Sequence, residues 1–159
     1  MKKQFIIMMV SVLMLVGSGQ VMAVTPYTIT DLGTLGGSES FASGINNSGK
    51  VVGYSPIAEN SDYHAFLYEG TTMNDLGTLG GSESYAFGIN NSGQVAGYSG
   101  TTGNSAHHAF LYDGGNMIDL NTLLPTGSGW VLRQAYGIND SGQIVGEGYN
   151  LNGGSRAFL

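Results

Sequence analysis

The sequence predicts an all-β protein of tandem four-stranded antiparallel repeats. The arrangement is β-propeller-like, with three blades forming a partial ring or completed by an oligomer. Three observations carry this prediction: a 44-residue internal repeat, short apolar runs punctuated by Gly, Asn and Ser, and no convincing helical period after residue 23.

The repeat is explicit. Asp31-Leu32-Gly33-Thr34-Leu35-Gly36-Gly37-Ser38-Glu39-Ser40 returns unchanged from Asp75 to Ser84, an offset of 44. Gly44-Ile45-Asn46-Asn47-Ser48-Gly49 returns at Gly88, and His64-Ala65-Phe66-Leu67-Tyr68 at His108, at the same offset. The first two copies agree at 30 of 44 positions. A third copy starts at Asp119, carries five extra residues around 125–133, resumes at Gly137-Ile138-Asn139-Asp140-Ser141-Gly142 and reaches Arg156-Ala157-Phe158-Leu159. The repeats are therefore 31–74, 75–118 and 119–159.

Each copy offers four short strands. The first ends at Ile45, and the second covers 50–55. Between them, Asn47-Ser48-Gly49 suits a hairpin turn whose last residue takes positive φ. The third, 64–68, is an unbroken apolar run that reads as buried on both faces. After a turn at 69–72, the fourth runs through Met73 to Leu76. Four antiparallel strands in about 44 residues match a propeller blade; a sandwich fits less well, and a solenoid least, because solenoid coils are shorter. Residues 27–32 match a fourth strand, so a closed ring would use them to finish the last blade. Propellers have about four to eight blades. Three blades therefore suggest a dimer of two halves, an open wedge with exposed edges, or a truncated member of a longer repeat protein.

Residues 1–23 read as a secretory signal peptide. Lys2 and Lys3 precede an apolar run, and Val21-Met22-Ala23 is a small-residue cleavage site. The run is short for a bilayer span of about 20 residues. Cleavage after Ala23 leaves 24–159 as the β-repeat domain. It retains three basic residues, Lys50, Arg133 and Arg156, against 11 acidic ones, a net charge of −8. Such a surface disfavours nucleic acid and anionic membranes. The expected location is extracellular or periplasmic. With no cysteine, stability must come from packing.

The blocks Asp-Leu-Gly-Thr-Leu-Gly-Gly, Gly-Ile-Asn-Asn-Ser-Gly-x-Val-x-Gly and His-Ala-Phe-Leu-Tyr resemble the HAF extracellular repeat family, whose triplet stands here at His64-Ala65-Phe66 and His108-Ala109-Phe110. The segment 123–132 also resembles one common in that family. The resemblance implies a bacterial secreted protein with a propeller-like β fold and no particular activity. The chain departs from the pattern in its few copies and in Arg156, which stands where a third His would.

Candidate chemistry is sparse. His64 and His108 recur and would hold a metal if they lined a channel, but Arg156 in the third place cannot be a ligand. The plainer reading is a polar residue at the start of a buried strand, bonding neighbouring backbone. His107, next to His108 on a strand, points the other way. Asp31, Asp75 and Asp119 repeat once per copy, as Glu39 and Glu83 do twice, and read as structural. The Asp residues suit a cap on the following turn. Glu59, Asp62 and Glu147 do not repeat. No Gly-x-Ser-x-Gly nucleophile elbow, calcium loop or phosphate-binding glycine loop is present. The third-copy insert holds the only Trp, Trp130, near Arg133; together they suit a platform for a sugar ring or peptide, or Trp130 plugs the core. Tyr54, Tyr98 and Tyr149 stand at similar places and read as packing between repeats.

The expectation is a secreted, non-catalytic repeat protein that binds glycan or an extracellular protein or serves assembly, with a homo-oligomer through blade edges and no cofactor. The binding candidates are Trp130, Arg133, His64, His108 and Arg156. The alternative is an extracellular polysaccharide hydrolase or lyase with acids at a propeller centre.

Overall fold

The computed structural model describes residues 26–58 and 62–159. The signal-peptide expectation at 1–23 lies outside the described residues. The chain divides into two units, 1–31 and 32–159. In the first, residues 26–31 carry no secondary structure.

The second unit is all-β. Eleven strands lie among the described residues: β1 (Phe41–Ile45), β2 (Val51–Pro56), β3 (Tyr63–Glu69), β4 (Thr72–Asp75), β5 (Gly80–Ile89), β6 (Val95–Thr101), β7 (His107–Asp113), β8 (Asn116–Asp119), β9 (Val131–Ile138), β10 (Ile144–Tyr149) and β11 (Ser155–Phe158). They form three open antiparallel sheets, β1-β2-β3-β4, β5-β6-β7-β8 and β9-β10-β11. These are the three propeller-like blades of the repeat. The first strand of each later sheet packs across the sheet before it. Residues 27–32, matched by sequence to a fourth strand, enter no sheet. β3 and β7 are completed by β4 and β8, which follow them after two-residue turns, whereas β11 stays the edge strand of the third sheet among the described residues.

The Asn-Asn-Ser-Gly turn forms because its first Asn caps it. Asn46 Oδ1 accepts from the Ser48 N–H, the Ser48 hydroxyl and the Lys50 N–H at 3.1, 2.8 and 3.0 Å. Gly49 sits at φ +77°, a conformation that costs glycine little, and the equivalent Gly93 and Gly142 take +86° and +77°. A second constraint recurs inside each sheet. Gly53, Gly97 and Gly146 lie opposite Phe66, Phe110 and Phe158 across the ladder. Each phenyl ring covers the glycine backbone, leaving no room for a Cβ.

Two apolar cores result. Val52, Ala65, Leu67 and Leu76 meet Ala86, Val95 and Phe110 between the first two sheets. Ala96, Ala109 and Leu120 meet Leu132 and Ala135 between the second and third. As the unbroken apolar run predicted, Ala65, Phe66 and Leu67 are consecutively buried on β3. Buried serines tie loops to sheets: Ser99 Oγ accepts from the Leu79 N–H at 2.8 Å, and Ser84 Oγ accepts from the Ala65 N–H at 2.9 Å, joining two sheets. A 3-10 turn at Leu120–Leu123 precedes the third-copy insert. Asn121 pins it by exchanging two hydrogen bonds with the backbone of Leu132, at 2.8 and 2.9 Å.

Candidate functional site

The repeated histidines are held by carboxylates. Because Phe66 faces Asp75 across the ladder, His64, two residues away, shares that face. His64 Nδ1 lies 3.0 and 2.8 Å from the two Asp75 oxygens. His108 Nδ1 lies 2.6 Å from Asp119 Oδ2. The partner is thus a side chain on the next strand, where the sequence suggested backbone. The aspartates do cap the turns that follow them, accepting from the Gly77 and Asn121 N–H groups at 2.7 and 2.8 Å. Neighbouring His107 turns elsewhere, with Nε2 2.7 Å from Glu83.

The Asp75 hydrogen bond raises the His64 pKa against the opposing effect of burial. Burial would raise the Asp75 pKa, but the bonds from His64 and Gly77 outweigh it and hold the carboxyl low. The two signs define a window. A raised His64 contributes fully below its unfolded value of 6.5 and fades as pH climbs through its folded value. A lowered Asp75 contributes fully above 3.8 and fades as pH falls through its folded value. The stability difference between the wild type and Asp75→Asn is therefore expected to peak between pH 3.8 and 6.5. It should stay below about 1 kcal/mol, because the carboxylate is partly exposed. Melting temperatures of both proteins across pH 3–9 check this; a difference that does not vary with pH refutes it.

The other sequence candidates scatter. Arg156 is exposed, and its Nη1 donates to the Ser155 carbonyl at 3.1 Å. Trp130 is half-buried against the second core and lines an open apolar cleft of about 850 Å³ with Leu123, Leu124, Leu132 and Phe158. Arg133 is engaged by Tyr149, donating to its hydroxyl at 3.0 Å and lying 5.2 Å from its ring centre. Tyr149 is not the equivalent of Tyr54 and Tyr98. Glu147 takes that place, since it faces Gln134 as Tyr98 faces Tyr85.

What the sequence reading missed is a run of aromatic rings crossing all three sheets. Phe41 stacks on Tyr54 at 5.1 Å between ring centres, and Tyr85 on Tyr98 at 4.9 Å. Tyr54 meets Tyr85 edge-on at 4.9 Å, joining the first sheet to the second. Tyr63 stacks on Tyr85 at 6.0 Å. Phe87 lies 5.8 Å from Tyr98 and 5.9 Å from Tyr136, joining the second sheet to the third. The rings are half-buried, with Phe41 and Tyr136 exposed at the ends.

Carboxylates punctuate this strip. The Tyr63 hydroxyl donates to Glu39, and the Tyr85 hydroxyl to Glu83 at 3.1 Å. Burial first, then the Glu83 charge, push the Tyr85 phenol well above its usual range. Burial also raises Tyr98, and the bond to Glu39 raises Tyr63. The phenols thus stay protonated and able to donate. The strip was legible in part: Phe41 and Tyr54, and Tyr85 and Tyr98, become cross-strand partners once the hairpin register is written out.

A third feature lies at the hairpin turns. Asn46 Nδ2 donates to the Asn90 carbonyl at 3.0 Å, and Asn90 Nδ2 to the Asn139 carbonyl at 3.1 Å. The Asn47 N–H donates to Asn91 Oδ1 at 2.9 Å, and the Asn91 N–H to Asp140 Oδ1 at 2.8 Å. Asn91's bonds hold the Asp140 carboxyl low. The three turns enclose a shallow polar cleft of about 270 Å³. No group of three or more His, Asp or Glu placed to hold a metal occurs among the described residues.

A family model described as "Protein of unknown function (DUF3466)" matches residues 70–155, more than half of the chain. No curated protein and no solved structure matches it.

Proposed function

Because the chain belongs to this family of unknown function, DUF3466, its surface must supply the reading, and we propose that it is an exported, non-catalytic repeat module that binds an extended glycan along the aromatic strip. The observation that carries the reading is the continuity of the rings from Phe41 to Tyr136. Flat rings offer stacking area at low entropy cost. Flanking carboxylates, with Gln134 and Glu147 in the third copy, offer acceptors for hydroxyl groups. A repeating polymer suits a repeating surface, as each sheet adds a similar contact. The signal-like start of the sequence and the resemblance to HAF extracellular repeats support export.

The hydrolase alternative draws less support. Each strip acid is already engaged, Glu83 by His107 and Tyr85, Glu39 by Tyr63, and Glu147 by Ser155. Retention of the protein on insoluble polysaccharides, such as cellulose, chitin and xylan, tests the binding reading. Tyr136→Ala, at an exposed end of the strip, is expected to weaken retention roughly three- to tenfold, the worth of one ring contact. No retention on any polymer, or retention unchanged by Tyr136→Ala, overturns the reading. Release of reducing sugar ends supports the hydrolase instead.

A further inference from the structure

We propose that copies of this chain associate head to tail, the outer face of the third sheet covering the leading face of the first sheet in a second copy. The contact reuses the face-to-face packing that the chain makes twice within itself. Its two halves are left open at opposite ends of the stack. On the leading side, Ala86 and Ala135 are fully buried against the preceding sheet, whereas their counterpart Ala42 is exposed. Ile89 and Ile138 are partly buried in the same way, whereas Ile45 is 69% exposed. Phe66 is already covered, so the open area lies along β1 and the start of β2. On the trailing side, Val52 and Ala96 are fully buried beneath the next sheet, whereas Val145 is 47% exposed. Ala65 and Ala109 are fully buried, whereas Ala157 is exposed.

The turn ladder supplies polarity. Each turn donates, through its first Asn side chain and its second residue's N–H, to the carbonyl and side-chain oxygen of the turn after it. The ladder therefore presents acceptors at its first turn and donors at its last. The Asn139 amide and the Asp140 N–H are the donors that a further turn would use, and the Asn46 carbonyl and Asn47 Oδ1 of a second copy are the matching acceptors. Asn139 Nδ2 already donates to Gln143 at 2.7 Å, which leaves its second N–H for this bond. Apolar faces and hydrogen-bond direction thus agree on one occupant, a second copy in the repeat's own register. The surfaces that meet are different, so the contact is heterologous; it closes into a ring or extends, depending on the accumulated rotation. It uses sheet faces, not the blade edges suggested by the sequence.

The test is the mass of the purified full chain by gel filtration with light scattering over a hundredfold concentration range, with Ile45→Asp and Val145→Asp variants. Both positions are exposed, and unchanged melting curves establish that the variants fold. The wild type is expected to form dimers or larger species, and each variant alone to be monomeric. A 1:1 mixture of the two variants is expected to form a dimer and nothing larger, because each supplies the face the other has lost. A monomeric wild type, a variant that keeps the wild-type mass, or a mixture that stays monomeric overturns the proposal. Polysaccharide retention is read separately, so loss of either result leaves the other standing.

Discussion

Replacing Phe110 with alanine is expected to cost about 3–5 kcal/mol, a large share of the 5–15 kcal/mol that holds a domain of this size. Phe110 is fully buried and reaches into the core between the first two sheets, among Val52, Leu67, Leu76 and Val95. The loss combines the transfer energy of the ring with a cavity that two rigid sheets cannot collapse to fill. It also uncovers the backbone of Gly97 opposite. Phe41→Ala is the control, since that ring is exposed at the end of the strip and should cost far less. Urea unfolding of both proteins measures the difference. A cost for Phe110→Ala no greater than that for Phe41→Ala would refute a packed core between the sheets.

The opposite change at the same spot should damage the fold by a different route. Gly97→Ala adds one methyl, which would overlap the Tyr85 carbonyl oxygen and come within 2.7 Å of the Phe110 ring. The oxygen belongs to the neighbouring strand and cannot swing aside, so β5 and β6 must part or the ring must leave its pocket. Overpacking of this kind costs about 1–3 kcal/mol and occasionally more; with backbone as the obstacle, about 3 kcal/mol is expected. Gly114→Ala, at an open turn position with φ +56°, separates this crowding from the conformational preference of glycine. A urea midpoint for Gly97→Ala equal to that for Gly114→Ala would contradict the crowding.

Much of this architecture was legible beforehand, for a local reason. Strand pairs here are hairpins between sequence neighbours, and turn chemistry between short apolar runs specifies such pairs. The four strands of each of the first two copies, the positive φ at Gly49 and the burial of Ala65, Phe66 and Leu67 therefore followed from residue order. The strip followed only within each hairpin, because ring contacts between sheets depend on how one repeat rotates against the next. The first two sheets pack closely at Ala65, Ala86 and Phe110, and side-chain alternation does not report the rotation between them. The grouping of Tyr149 with Tyr54 and Tyr98 failed for a related reason. A tyrosine two residues past the equivalent position was counted as if register were only approximate, yet cross-strand partners depend on it residue by residue.

Strand order within each sheet follows chain order without exception among the described strands. The gene can therefore lengthen or shorten by one repeat without breaking a sheet. If residues 75–118 were removed, the trailing face at Val52 and Ala65 would meet Ala135, Ile144 and Phe158, which now rest against Ala96 and Ala109. The small-residue surface presented is nearly the same, and the Asn46 side chain would find the Asn139 carbonyl in place of that of Asn90. Duplication and deletion are thus graded changes in this molecule, each adding or removing one sheet and one interface, and selection can tune the reach of its surface by copy number.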